Sequence, residues 1–203
     1  SSGGFYTLDR WRVYENATGN VTISQDTSAP DGFSHSLKAL VETVDGGLGA
    51  SEQCKVQQRI EAYNTTHLAF GTSSAEDLVL SFWVKSSLTG TFGCAILNAA
   101  ETRSYVKEYT ISSANTWEKK TITLTLSDYG SWVGSTTSGK NLVVSFDYGS
   151  GPDRNLTNLN AWHDGVVNDY THSSQTDWVG TTGSTLYLTG VQLELGSVAT
   201  EFE

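Results

Sequence analysis

Leu78-Val79-Leu80-Ser81-Phe82-Trp83-Val84-Lys85 is the stretch on which the fold turns. Leu78, Leu80, Phe82 and Val84 fall on one side of an extended chain, and the residues between them on the other. A period of two belongs to a strand with one face on a core, whereas a helix would bring apolar residues round every three or four. The same alternation runs through Thr121-Ile122-Thr123-Leu124-Thr125-Leu126, through Phe92, Cys94 and Ile96, and through Leu142, Val144, Phe146 and Tyr148. It returns at Tyr187, Thr189, Val191, Leu193 and Leu195. Turn-forming residues punctuate these runs: Thr18-Gly19-Asn20, Pro30-Asp31-Gly32, Asp45-Gly46-Gly47, Thr89-Gly90, Ser138-Gly139-Lys140 and Gly149 to Asp153. Ser51 to Tyr63 fits both periods. We assign it as a strand, with Cys54, Val56, Gln58 and Ile60 on one side, because a lone helix among strands would have nothing to pack on. Roughly ten short antiparallel strands around one core predict an all-β sandwich or barrel.

Composition agrees. The chain has 203 residues, room for one domain of ordinary size, and residues 1–203 read as a single domain without an internal linker or repeat. Serine and threonine together make up 51 positions, and only 17% of residues are charged, against roughly 25% in average domains. Hydroxyl-rich, charge-poor strands give polar outer faces without salt bridges. The net charge of −10, with no basic cluster, speaks against binding a phosphate backbone, so no nucleic-acid partner is expected. No apolar run approaches the ~18 residues of a membrane helix, so no membrane insertion is expected. The chain holds no methionine and begins Ser1-Ser2-Gly3-Gly4, which reads as a fragment or processed part of a longer chain.

Chemistry is harder to find. No G-x-S-x-G elbow is present, no pair of carboxylates stands out, and the four histidines (His35, His67, His163, His172) lack metal-ligand spacing. No catalytic residue, no metal site and no cofactor is therefore expected. Asp45-Gly46-Gly47 and Gly151-Pro152-Asp153 offer oxygens at sharp turns, as a structural Ca²⁺ site would, but neither has the spacing of a calcium loop. Cys54 and Cys94 read as buried thiols, with a single inter-strand disulfide as the alternative that spacing leaves open. The aromatic residues are more informative. An exposed tryptophan beside Asn, Asp or His suits a sugar, since the ring stacks on the apolar face of the pyranose and the polar groups take its hydroxyls. Trp132, Trp162 and Trp178 fall in Gly/Ser/Asn/Asp-rich stretches, and Gly149 to Gly183 is the longest weakly patterned region. Trp132, Trp162, His163, Asp164, Tyr170 and Trp178 are the candidate sugar-binding residues. The competing role for each ring is to pin a long loop onto the sandwich or to fill a subunit interface.

Several stretches taken together resemble a known module. These are Asp9-Arg10-Trp11, Ser36-Leu37-Lys38, Gln58-Arg59-Ile60-Glu61, the Phe82-Trp83-Val84-Lys85 run, Arg103-Ser104-Tyr105 and Thr116-Trp117-Glu118-Lys119-Lys120. The end reads Thr189-Gly190-Val191-Gln192-Leu193-Glu194-Leu195-Gly196, then Ala199-Thr200-Glu201-Phe202-Glu203. Over nearly the whole chain this is similar to a module of bacteriophage virion proteins, mainly tail-fibre and receptor-binding proteins and some head fibres. Many relatives have proline at the position of Glu201 and continue past the final Phe-Glu. The order of motifs also resembles the jelly rolls of carbohydrate-binding modules and galactose-binding-like domains. Their closing strand often carries Asp-Asp before its Val, where this chain has Thr189-Gly190, so a calcium ligand is not carried over. The resemblance implies a non-catalytic virion structural module at the particle surface, made in the host cytoplasm, in contact with other virion proteins and with host-cell surface polysaccharide. It also implies a homo-oligomer, a trimer by analogy with fibres. A carbohydrate-binding module of a polysaccharide-degrading enzyme is the alternative.

Overall fold

The computed structural model describes residues 5–8, 10–125, 132, 139–156, 159–164 and 171–203. Its strands in chain order are β1 (Phe5–Leu8), β2 (Trp11–Glu15), β3 (Asn20–Asp26), β4 (Ser36–Thr43), β5 (Gln53–Glu61), β6 (Leu78–Ser86), β7 (Gly90–Asn98), β8 (Arg103–Ile111), β9 (Glu118–Leu124), β10 (Lys140–Ser150), β11 (Trp162–Asp164) and β12 (Thr185–Leu195). They build two antiparallel sheets packed face to face. The larger has the order β1-β2-β5-β10-β7-β8-β11 and the smaller β3-β4-β12-β6-β9. The expected all-β antiparallel sandwich of jelly-roll type is the observed architecture. Ser51 to Tyr63 supplies the strand β5, as assigned.

The alternation read from the sequence sets the core. Leu78, Leu80, Phe82 and Val84 of β6 and Leu142, Val144, Phe146 and Tyr148 of β10 are all buried between the sheets. Phe82 meets Phe146 edge-on at 4.9 Å and Tyr109 at 5.1 Å, a perpendicular geometry that suits the ring quadrupoles. Cys54 on β5 and Cys94 on β7 are both buried free thiols. They flank β10 on opposite sides, so β10 stands between them. Burial pushes the Cys94 thiol up to about 12, which leaves it protonated and inert.

The outer face of the larger sheet departs from the simple picture of one face inward and one toward water. Cross-strand register there gives the rows Tyr14–Lys55–Asp147–Gly93–Glu108, Arg12–Gln57–Ser145–Ala95–Val106 and Arg59–Val143–Leu97–Ser104–His163. The connection from β10 to β12 returns across this face. Leu156 and Leu159 pack on Ala95, Leu97, Val106 and Val143 as a second, smaller core. Backbone bonds pin this cover, among them Asn160 N–H to Val106 O at 3.1 Å and Thr176 N–H to Thr91 O at 2.8 Å. The described residues 156, 159 and 160 of the weakly patterned region thus cover part of the sheet.

The cover buries polar groups as well. Lys55 and Asp147 face each other across β5 and β10, and both are almost wholly buried. Burial pushes the Lys55 amine down to about 6. Burial likewise pushes the Asp147 carboxyl up to about 6, against the pull of hydrogen bonds from Ser150 and Gln175 and of the Lys55 charge. For Asp147 the sign follows from proton counts. Between about 4 and about 6 the folded chain holds a proton that the unfolded chain has released, so this carboxyl costs stability as pH rises through that window, and the full cost persists above it. Asp147→Asn keeps the shape and removes the ionisation. We expect it to be neutral near pH 4 and to stabilise the fold by roughly 1–3 kcal/mol at pH 8. Urea unfolding at the two pH values reads the difference.

Candidate functional site

Two inward-facing positions are polar where alternation calls for an apolar side chain. On β5 the inward series Cys54, Val56 continues to Gln58, and on β3 the series Val21, Ile23 continues to Gln25. Gln25 is exposed and Gln58 half-buried, so burial falls off at both positions. The result is an open notch of about 310 Å³ at one mouth of the sandwich. Its lining includes Trp11, Gln25, His35, Gln58, Thr189 and Phe202. Trp11 pairs across strands with Gln58, and its ring lies 6.1 Å from that of Phe146, with its inner edge on the core and the rest toward the opening. No Asp or Glu is among the described lining residues. Aromatic rings with amide and hydroxyl groups around them can stack on and hydrogen-bond to a neutral polyhydroxylated ring.

The rim of this notch is made by the closing motif. The middle of β12 is bulged: its register against β6 shifts between Thr189 and Gln192, and Gly190 there has φ +57°. A Cβ on Gly190 would lie 2.6 Å from the Phe33 ring, so glycine is needed both for the backbone and for the aromatic ring above it. Phe202 then packs edge-on to Phe33 at 5.1 Å. Past the bulge, Val191 and Leu193 pack on the core while Gln192 and Glu194 face outward and hold the tail. The Gln192 amide donates to Thr200 Oγ1 at 3.1 Å and to the Glu201 carbonyl at 3.3 Å, and its oxygen accepts the Glu203 N–H at 3.1 Å. Glu194 accepts the Thr200 N–H at 3.1 Å and the Thr200 hydroxyl at 2.6 Å. These bonds to Thr200 hold the Glu194 carboxyl below its ordinary value. Gly190, Gln192, Glu194, Thr200 and Phe202 therefore form one clasp, and their spacing in the sequence is its geometry.

The sequence-predicted residues divide. Trp132 and Trp162 come together at a corner of the sandwich, edge-on at 5.4 Å, with Phe70 stacked on Trp132 at 4.4 Å and Tyr105 against Trp162 at 5.4 Å. The Trp132 indole N–H donates to Asn141 Oδ1 at 3.1 Å, and Asn141 in turn donates to Thr65 Oγ1 at 2.8 Å. Asp164 joins this corner through both carboxylate oxygens, each 2.6 Å from Arg103 Nη1. His163 lies between them on the opposite face of β11, across from Ser104. Tyr170 lies outside the described residues. Trp178 is a correction: it is fully buried, with its ring against Tyr148 at 5.5 Å, and offers no face to a sugar. Its Gly/Thr/Asp-rich neighbours suggested exposure, but the indole fills the core where β10 ends. Asn141 and Tyr148, the β10 residues that contact Trp132 and Trp178, are seven positions apart, about 23 Å of extended chain, so Trp178 does not join Trp132 and Trp162. A second hollow of about 200 Å³ does lie in the expected region, lined by Ser150, Asn155, His172, Gln175 and Asp177 among others, with no Phe, Tyr or Trp among its described lining residues. Sequence reasoning missed the notch. Its available signal was Gln25 and Gln58 at inward positions.

The clasp carries its own test. Gln192→Leu removes both donations to the tail and the acceptance of the Glu203 N–H. Amide exchange at Thr200 and Glu203 should accelerate markedly, while global stability falls by only about 1 kcal/mol. Unchanged protection of these amides would show that the tail is held by something else.

Comparison with known proteins places the fold. No protein-family model matches the chain, and no curated protein matches it in sequence. Among solved structures, the enzymatically active domain of bacteriophage CBA120 tailspike protein 4 superposes with a TM-score of 0.53 at 14% identity, over 93% of this chain and 20% of that one. This chain thus corresponds in length to about a fifth of the tailspike chain. A family 11 carbohydrate-binding module from Clostridium thermocellum, in complex with a β-1,3-1,4-mixed-linked tetrasaccharide, gives a TM-score of 0.49 at 11% identity over 98% of this chain and all of that one. The module TmCBM61, in complex with β-1,4-galactotriose, gives 0.44 at 10% identity over 93% and 90% of the two chains. At 14% identity the likeness to the tailspike domain is one of fold alone.

Proposed function

We propose that this chain is a non-catalytic carbohydrate-recognition module of a bacteriophage particle, part of a tail fibre or surface fibre that contacts host-surface polysaccharide. The observation that carries the recognition role is the notch. An indole, a phenyl ring and the amides of Gln25 and Gln58 surround a space of about 310 Å³, large enough for a sugar ring, and no described lining residue is a carboxylate that could act as acid, base or nucleophile. The phage assignment is supported by the closing motif, whose residues act as one clasp here, and by the tailspike domain of similar fold. Phage chains fold in a reducing cytoplasm, in keeping with two free thiols. Trimeric assembly and a place on the virion surface belong to the same proposal. The notch would serve equally in a carbohydrate-binding module of a polysaccharide-degrading enzyme, and the ligand separates the two.

The experiment is a glycan array spanning bacterial surface polysaccharides and plant cell-wall glucans, followed by titration. We expect binding to a bacterial surface glycan without release of reducing ends. Trp11→Ala should weaken it about tenfold or more, and Gln58→Ala by a smaller factor. Trp162→Ala tests the aromatic corner in parallel and should leave the affinity unchanged. Binding confined to plant glucans would favour the enzyme-module reading. Hydrolysis abolished by a single carboxylate substitution would overturn the non-catalytic one.

A further inference from the structure

The outer face of the smaller sheet carries an arrangement that the notch does not use. Cross-strand register aligns Ser24 of β3, Lys38 of β4, Tyr187 of β12 and Lys85 of β6 in one row, with Trp117, just before β9, at its end. Beside it Asp26 pairs with Ser36, and Thr189 aligns with Trp83 and Lys119. The Lys85 ammonium lies 4.1 Å from the centre of the Tyr187 ring and 5.2 Å from that of Trp117, and the Lys38 ammonium lies 5.7 Å from Tyr187. Lys85 also donates to Ser28 Oγ at 2.5 Å, which fixes its direction. Asp26 pairs with Lys38 at 3.4 Å. Lys38 and Lys85 thus stand against the one carboxylate of Asp26, while Lys119 pairs with Glu201 at 3.9 Å, in a chain whose whole complement is 12 basic against 22 acidic residues. Burial holds the Lys85 amine below its ordinary value, and the pull of Asp26 exceeds the push of Lys38. A bound anion would offset that cost of burial.

We infer that this face is a second binding site, for the carboxylate of an acidic saccharide unit such as a uronic acid, with Lys85 and Lys38 taking the carboxylate and Trp117 taking the apolar face of the ring. The charge pattern sets the class of ligand. The positive surplus is an island of two rows, and the rest of the acidic molecule repels an extended polyphosphate, whereas one sugar carboxylate spans only the island. The second row borders the notch, which Ser36 and Thr189 line, but Lys38, Lys85, Trp117 and Tyr187 are not among its described lining residues, so either site can fail alone.

The test is calorimetric or NMR titration of the whole chain with tetragalacturonate, with cellotetraose as the neutral counterpart and oligothymidylate as the polyphosphate. We expect tetragalacturonate to bind, to perturb the resonances of Tyr187, Trp117 and Lys85, and to weaken as NaCl rises from ~0.02 to ~0.5 M. Lys38→Gln/Lys85→Gln should reduce its affinity about tenfold or more, as should Trp117→Ala, while Trp11→Ala leaves it unchanged. Near-UV circular dichroism verifies that each variant is folded, and the salt series on the wild-type chain gives a reading that needs no variant. Absence of binding up to ~10 mM, unchanged affinity in the double lysine variant, or equal affinity for cellotetraose or oligothymidylate at these residues would each overturn the inference.

Discussion

The contact between Phe82 and Phe146, edge-on at 4.9 Å, is where the two sheets are joined. Phe146 sits on β10, the middle strand of the larger sheet, and Phe82 on β6, which lies between β12 and β9 in the smaller one. Their mutual burial fixes which residues of each strand point inward, and the period of two then decides every other position. A slip of one residue in either strand would turn Leu80 and Val84, or Val144 and Tyr148, out of the core, so the register is held by many side chains at once. The features that matter for recognition are consequences of this lock. Gln58 and Gln25 face the space between the sheets because their strands obey the same alternation, and the notch opens where that inward series turns polar.

How much of this was legible in the sequence depends on whether a feature is local. Alternation within one strand is local, so β6, β9, β10 and β12 could be read directly, as could the assignment of Ser51 to Tyr63 as extended. The burial of the outer face of β10 was only partly so. Leu142-Val143-Val144 is a continuous apolar run, and Ala95, Leu97 and Val106 are apolar at outward positions, which together signal a strand covered on both faces. The cover itself comes from a polar, glycine-containing connection that resembles an open loop. Trp178 was misread for the same reason, since its neighbours are polar while its ring is in the core. The lysine and aromatic row on the smaller sheet was not legible at all. Residues 38, 85, 117 and 187 come from distant parts of the chain and meet only through strand order and register.

The clasp shows what a recurrent motif encodes physically. In Thr189-Gly190-Val191-Gln192-Leu193-Glu194, glycine admits the bulge and the Phe33 ring, Val191 and Leu193 face the core, and Gln192 and Glu194 take the tail. Glutamine is specified at 192 because both ends of its amide are used, two donations from nitrogen and one acceptance by oxygen, which neither Glu nor Leu could supply. Thr200 is specified because its hydroxyl and its N–H meet one carboxylate. Such a motif testifies first to how the tail is anchored. It bears on binding through Thr189, Gly190 and Val191, which line the notch, and through Phe202, which the clasp sets at its rim.

The two recognition surfaces differ in the physics that would select their ligands. The notch is lined by aromatic, aliphatic, amide and hydroxyl groups and the His35 imidazole, with no carboxylate or lysine among its described lining residues, so its selectivity would come from ring shape and hydroxyl geometry and would change little with salt. The lysine row would select by charge, with a dependence on ionic strength that the notch lacks. A net charge of −10 favours this division of labour. An acidic surface repels polyanions in general, so an attractive island on it admits a small anion held at short range while rejecting long ones. Placing the island on the sheet opposite the covered face also keeps it clear of Lys55 and Asp147, whose burial already holds both near the edge of ionisation. Charge that is costly inside the sandwich is useful on its outer face, where water screens the lysines from one another and a ligand carboxylate can complete the arrangement.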